Sequence, residues 1–384
     1  MARRSRTKNG GERRRVRYGV VGVGHIAQAA VLPAFRHARK TSQLAALFST
    51  DSTKLAKLGR KYEVEHRFDY ADGDAFERGL REAELDAVYI ALPNHLHREY
   101  TERAAAAGVH VLCEKPMAVT SDDCRAMIEA CDAAGVKLMI AYRLHFDEGN
   151  LRAVDIAQSG KLGDLRFFSS AFTMDVREGD VRLAPRAEGG GTLYDIGIYC
   201  INAARYLFQD EPEEVFAASV AGREPRFSAE GTDEMTAATL RFPGGRLASF
   251  TTSFATEDVS HYRLVGTEGS LAMDPAYSYA GELRQEVTID GKTRTKSWPQ
   301  RDQFAPELAH FAESIMTGAD PEPNGREGLA DIRIIEALYR SADTGAPVRL
   351  EPFDKARRPT LEQADSRPAV RPEPELVNTE PPKI

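Results

Sequence analysis

The sequence predicts an α/β protein in two parts: a doubly wound domain on a parallel sheet, then an α+β domain with a large, mostly antiparallel open sheet. Three observations carry this. Short apolar runs alternate with amphipathic helical stretches from Val16 to Arg143. The first apolar run passes directly into a glycine-rich turn. Beyond Arg143 the texture changes to strand-like segments at hairpin spacing. A length of 384 residues suits two domains. The boundaries expected are a basic flexible arm at 1–15, the parallel domain at 16–143, the second domain at 144–350 and a disordered or strapping tail at 351–384.

Tyr18-Gly19-Val20-Val21 reads as a buried strand, and Gly22-Val23-Gly24-His25-Ile26-Ala27 follows it at once. In such a Gly-x-Gly-x-x-Ala turn the first glycine makes the bend and the second lets backbone approach a pyrophosphate. The alanine packs helix on strand, and the helix N-terminus offers N–H groups to phosphate. The placement, after a strand and opening a helix, is what identifies a Rossmann dinucleotide-binding domain. The next strand is Leu44 to Phe48. An NAD site places an acid at its end for the ribose 2′-hydroxyl. Here Ser49 holds that position, with Lys54 in the following helix, a pair that suits a 2′-phosphate and hence NADP over NAD. Asp51 would repel that phosphate if it faced the ribose; the reading preferred here is that Asp51 or Ser52 caps the helix running to Tyr62.

Asp86 to Ala91 is the next strand, ending at Leu92-Pro93-Asn94-His95-Leu96-His97, and a helix covers Arg98 to Ala107. The strand that follows stops in Glu114-Lys115-Pro116, where proline stiffens the turn that aims Lys115 toward the crevice beyond the strand ends. A helix over Ser121–Ala134 and a strand over Lys137–Ala141 complete the first domain. His95 and His97 lack further ligands for a metal, and no metal site is expected. In the second domain a helix from Glu148 to Ser159 precedes strands at Leu165–Phe172, Glu214–Val220, Met235–Phe242, Arg246–Phe254, His261–Gly266 and Glu286–Asp290. One helix, Thr192–Phe208, is inserted after Gly189-Gly190-Gly191, a triplet read as a turn that docks the helix closely rather than as a second phosphate cradle. It carries Asp195 and Tyr199 four residues apart, on one face. Helices at Gln303–Thr317 and Glu327–Asp343 close the domain.

Composition excludes other classes. A formal net charge of −7 argues against a nucleic-acid binder, and the basic run from Arg3 to Arg17 reads as a solvated arm, with a polyanion or cofactor-phosphate contact as the alternative. Cys113, Cys124, Cys131 and Cys200 lack metal or disulfide spacing and read as buried free thiols in a reducing compartment. No apolar run is long enough to span a membrane, and no apolar segment follows the paired arginines as an export signal requires. A cytoplasmic location is the expectation.

The motif at Gly22, Gly24 and Ala27, Leu92-Pro93-Asn94 with His97, Glu114-Lys115-Pro116, and the glycine triplet leading to Asp195-Ile196-Gly197-Ile198-Tyr199 occur together. In that order and spacing they resemble the Gfo/Idh/MocA oxidoreductases, within them the glucose–fructose oxidoreductase branch. Tyr142-Arg143 with His145-Phe146-Asp147, and Asp331-Ile332-Arg333, extend the resemblance, which runs from about Val16 to Leu350. It implies a sugar or polyol dehydrogenase with Lys115, Asp195 and Tyr199 at the catalytic positions. Together with the motifs, it puts cofactor contacts at Gly22, Gly24, His25, Ile26, Ser49, Lys54, Leu92, Pro93, Asn94, His97, Glu114, Lys115 and Arg143.

Oxidising a sugar at C1 requires its hydroxyl to lose a proton as the carbonyl forms. A free phenol, with a pKa near 10, is a poor base at neutral pH, and a nearby ammonium favours the phenolate. The expected arrangement is therefore Tyr199 as proton acceptor, or donor in the reverse reduction, Lys115 as the assisting ammonium, and Asp195 on a sugar hydroxyl. The alternatives are a reductase of a non-sugar diol or keto-sugar, and a non-catalytic dinucleotide- and sugar-sensing regulator. An open sheet in the second domain further suggests a homodimer or homotetramer formed through it.

Overall fold

The computed structural model describes residues 14–228, 231–355, 357–371 and 374–380. Most of the basic arm lies outside them; of its described part, Arg14 pairs with Asp86 at 2.6 Å.

Strands β1 (Val16–Val21), β2 (Ser42–Phe48), β3 (His66–Phe68), β4 (Ala87–Ile90), β5 (His110–Glu114) and β6 (Leu138–Ala141) form a parallel sheet in the order β3-β2-β1-β4-β5-β6. Helices α1 (Leu32–Ala38), α2 (Ser52–Lys61), α3 (Ala75–Glu82), α4 (His97–Ala106) and α5 (Ser121–Ala134) make the crossovers. Alternate strand residues feed two cores: Val88 and Ile90 of β4 join one, Ala87 and Tyr89 the other. That is why these strands read as continuous apolar runs. Chain direction across the sheet reverses between β1 and β4, so a crevice opens between the loops leaving those two strands.

After α6 (Glu148–Gln158) comes a nine-stranded sheet. It comprises β7 (Leu165–Asp175), β8 (Glu214–Val220), β9 (Met235–Phe242), β10 (Arg246–Ser253), β11 (Ala255–Gly266), β12 (Gly269–Met273), β13 (Leu283–Ile289), β14 (Lys292–Trp298) and β16 (Val348–Arg349). The order is β14-β13-β12-β11-β7-β10-β9-β8-β16; every neighbouring pair is antiparallel except β7 with β10. Strand β11 starts at Ala255, six residues before the sequence pattern suggested, through a register irregularity. Strands β12 and β14 escape that pattern because one is short and the other is polar and exposed over six of its seven residues.

The inserted helix begins differently from expectation. Leu193–Gly197 is a wide π-type turn, and α7 proper runs Ile198–Phe208. Every residue of α7 is buried except Tyr199. A buried ionic network fixes this helix. Arg205 meets Glu327 and Asp331 at 2.6 Å and Glu211 at 2.8 Å, while Asn202 donates to Glu327 and Asp331 and lies 2.8 Å from a ring nitrogen of His145. Glu327 and Asp331 lie on α9 (Gly325–Thr344), which also packs on α5. Helix α8 (Ala305–Thr317) covers the first sheet, where the Tyr18 hydroxyl donates to the Leu308 carbonyl at 3.0 Å. The tail pairs Arg367–Pro368 (β17) with Arg301–Asp302 (β15) and then reaches the first domain.

Candidate active site

Between the two sheets lies a cleft of about 1340 Å³, lined from Gly22 and Ser49 at one end to Tyr199 and Tyr277 at the other. It exceeds the roughly 300–1,000 Å³ of a typical single-ligand pocket. Its first end is backbone. Gly22 has φ 85°, and a side chain there would strike the Ala91 carbonyl at 2.5 Å, so the turn between β1 and β4 demands glycine. At Gly24 a Cβ would meet nothing within 4 Å, so the bare backbone faces open cleft, as a pyrophosphate cradle requires. His25 and Ile26 line the same wall; burial, then the Arg182 charge, lowers the His25 pKa and favours a neutral ring.

Ser49, Thr50, Asp51 and Lys54 line the next stretch. Asp51 caps α2: its Oδ1 accepts from the amides of Thr53 (2.8 Å) and Lys54 (3.0 Å). Leu92, Pro93 and Asn94 bring the β4 loop alongside, and Asn94 donates to the Gly189 carbonyl at 2.9 Å, tying the glycine triplet to the first domain. His97 is the departure. It is fully buried beneath the cleft, with its ring nitrogens 2.9 Å from the carbonyl oxygens of Leu92 and Pro116. Its place as the first residue of α4 points it inward, where it holds two cleft turns together without lining the cleft. His95, by contrast, lines the cleft. Among the described residues no cluster of His, Cys, Asp and Glu could hold a metal ion.

At the far end two cations and two acids interlock. Lys115 Nζ donates to the Asp195 carbonyl at 2.8 Å and to its Oδ1 at 3.2 Å. Arg182 Nε donates to Asp195 Oδ2 at 2.6 Å and its Nη1 to Asp180 at 3.1 Å. Burial raises the Asp195 pKa, but Arg182 and Lys115 outweigh it and hold the carboxyl well below the usual range. For Lys115, burial works against the ammonium, yet the charges of Tyr199, Asp195 and Glu114 prevail and raise its pKa. Lys115 is thus a fixed cation. Glu114 beneath it accepts from the Tyr89 hydroxyl at 2.6 Å, and burial raises its pKa.

The Tyr199 ring lies 4.8 Å from Lys115 Nζ and 4.9 Å from the Arg143 guanidinium carbon. The hydrogen bond to its hydroxyl comes from Arg143 Nε at 3.2 Å. The sequence-based expectation was Lys115 as an ammonium near this phenol, and Lys115 does lie beside the ring. Its own hydrogen bonds go to Asp195, which presents both its carbonyl and its carboxylate to the ammonium, so the donor to the hydroxyl is Arg143. Arg143 is held by Gln303 and the Tyr277 carbonyl. Phe172, Tyr277 and Tyr279 add an aromatic wall. Sequence reasoning missed Arg182, Gln303 and this wall. Arg182 lies in an irregular loop, and the aromatics read as core residues; only the polar neighbourhood, unseen in one dimension, marks them.

Two family models match. One, described as an oxidoreductase family with an NAD-binding Rossmann fold, covers residues 16–142; the other, a GFO/IDH/MocA C-terminal domain, covers 150–272. A D-xylose 1-dehydrogenase [NADP(+)] of Haloarcula marismortui is 34% identical over 342 residues, 88% of this chain and 93% of that protein. A D-xylose 1-dehydrogenase (NADP(+)) of Haloferax volcanii is 32% identical over 87% of this chain and 99% of its own length. Among solved structures, an aldose-aldose oxidoreductase from Caulobacter crescentus complexed with glycerol superposes with a TM-score of 0.82 at 38% identity, covering 88% of this chain and all of that one. A 3-ketoreductase from Actinomadura kijaniata, in complex with NADP and TDP-benzene, gives 0.77 at 25% identity, over 85% and 98% of the two chains.

Proposed function

The chain belongs to the Gfo/Idh/MocA oxidoreductases, and on that premise we propose that it is an NADP-dependent sugar oxidoreductase acting at C1 of an aldose, with Tyr199 as the acid–base group. The convergence of Lys115, Asp195, Arg143 and Tyr199 on one cleft with the glycine turn is the observation that carries this. The similar proteins named for NADP and for xylose or aldoses point to the same cofactor and substrate class.

Gly22, Gly24, His25 and Ile26 would hold the pyrophosphate, and Ser49, Thr50 and Lys54 the 2′-phosphate. Leu92, Pro93, Asn94, Glu114 and Lys115 would bound the nicotinamide end. When bound, NADP supplies the hydride acceptor. The chain handles the proton. Tyr199 acts in its phenolate form, whose charge Arg143 meets from 3.2 Å away; as the C1 carbonyl forms, the C1 hydroxyl proton passes to that oxygen and leaves a neutral phenol. In the reverse reduction Tyr199 returns the proton. Lys115 and Arg182 fix Asp195 as an anion that accepts from a sugar hydroxyl with the exposed fifth of its side chain. His97 acts from behind as a positioning residue, through the turns at Leu92 and Pro116.

A homo-oligomer formed through the nine-stranded sheet completes the reading. Phe167 pairs with Leu247, and Phe216 lies on the same face through the Thr239–Ser249 register; all three are more than 40% exposed. Among the described residues no helix is long and apolar enough to cross a membrane.

The test is NADPH formation when the protein is mixed with NADP and a panel of aldoses that includes D-xylose, with a keto-sugar and NADPH as the reverse arm. Reduction of NADP by at least one aldose is expected. Tight NADP binding with no turnover of any sugar, in either direction, would overturn the assignment in favour of a sensor.

A further inference from the structure

The chain's last described segment returns to the cleft. Lys61 donates to the Glu375 carbonyl at 3.2 Å. The Gln28 amide, 1% exposed, accepts from the Val377 amide at 2.7 Å and donates to the Val377 carbonyl at 3.0 Å. The same Nε2 reaches the Val23 carbonyl in the glycine turn at 2.8 Å. Asn378 Nδ2 donates to Asp51 Oδ2 at 3.0 Å, and Glu380 pairs with Arg177 on the loop that follows β7. Thr379 and Glu380 line the same cleft as Thr50 and Lys54. One strand of chain therefore touches the glycine turn's helix, the end of β2 and the second domain in turn. Most of these contacts are exposed, and only the Gln28 pair is partly buried, so the segment is anchored at one point and releasable elsewhere.

The Asn378 contact bears on cofactor choice. A carboxylate near the end of the second strand accepts from the ribose 2′-hydroxyl in NAD sites. Here Asp51 has both oxygens engaged, Oδ1 by the α2 amides and Oδ2 by Asn378. Its pKa is lowered by the Asn378 bond first and the Lys54 amide second, so it stands at the cleft wall as an anion whose two oxygens are both already accepting.

Resting on the NADP reading above, we propose that residues 375–380 form a latch over the ribose end of the cleft, and that Asn378 sets cofactor selectivity by engaging the Asp51 oxygen that would otherwise accept from a ribose 2′-hydroxyl. Two variants test this without sugar present: Asn378→Ala, and a chain ending at Pro374. NADPH and NADH are titrated by fluorescence, and NADPH release is timed after mixing with excess NADP. Loss of one hydrogen bond is expected to shift the NADH-to-NADPH affinity ratio of Asn378→Ala toward NADH by about tenfold. The shortened chain, with an unchanged circular dichroism spectrum, is expected to release NADPH about tenfold faster or more. Full-length protein that binds NADPH, with both variants behaving like it, overturns the latch alone. Full-length protein that binds no NADPH overturns the cofactor reading and the latch with it.

Discussion

Arg143 donates from Nε to the Tyr199 hydroxyl across 3.2 Å, from a side chain whose other nitrogens are held by Gln303 and by the Tyr277 carbonyl. A guanidinium so braced is a fixed donor aimed at the one residue of α7 that is only partly buried. Lysine cannot reproduce the three-way fork. Arg143→Lys is therefore expected to lower kcat by about 10–100-fold, the worth of one charged hydrogen bond, with less change in sugar KM. Steady-state kinetics on the two proteins check this.

Asp195 is clamped between Lys115 and Arg182. Asp195→Asn leaves two cations without their anion in a partly exposed site. The expected cost is about 1–2 kcal/mol of stability, with a sugar KM raised more than kcat is lowered. Urea unfolding and kinetics on a good aldose measure both.

Arg205 pairs with Glu211, Glu327 and Asp331 inside the protein and so holds α7 on α9. Removing it strands buried carboxylates, for which about 3–5 kcal/mol is the usual penalty. Arg205→Leu should show that loss in chemical unfolding. A smaller loss would mean that Lys355, 2.7 Å from Glu327, carries the neutralisation.

Glu307 at the start of α8 is fully buried, and neither carboxyl oxygen has a hydrogen-bond partner among the described residues. Burial, then the Glu114 charge, pushes its pKa well above the ordinary value. An acid whose folded pKa is raised contributes stability that is full below the unfolded pKa and is lost as pH rises through the folded one. Native Tm is thus expected to fall relative to that of Glu307→Gln between about pH 5 and about pH 8. Calorimetry across that range checks the sign.

The parallel domain was legible because its strands are buried on both faces, and Ser121–Ala134 announces both ends with Thr120 as cap and Gly135 in the left-handed region. Strand β3, three residues long, and β14, polar along its length, carry no such signal. The π-type turn at Leu193–Gly197 has the same composition as a helix and differs only in its spacing of hydrogen bonds. In the site, Lys115, Asp195 and Tyr199 stood out by motif. The identity of the donor to Tyr199 did not, because it depends on Asp195 drawing Lys115 aside, a three-dimensional fact. Asn378 and Gln28 were illegible for the same reason: one sits in an aperiodic tail and the other in a helix, and only folding joins them to the cleft.

The most direct measurement of the central claim is a single-turnover experiment on Tyr199→Phe with NADP and the aldose the native protein oxidises fastest, alongside an NADPH titration. Loss of the acid–base group is expected to slow hydride transfer by about 10²–10⁴-fold while NADPH binds as in the native protein. Native-rate transfer in Tyr199→Phe would contradict the account.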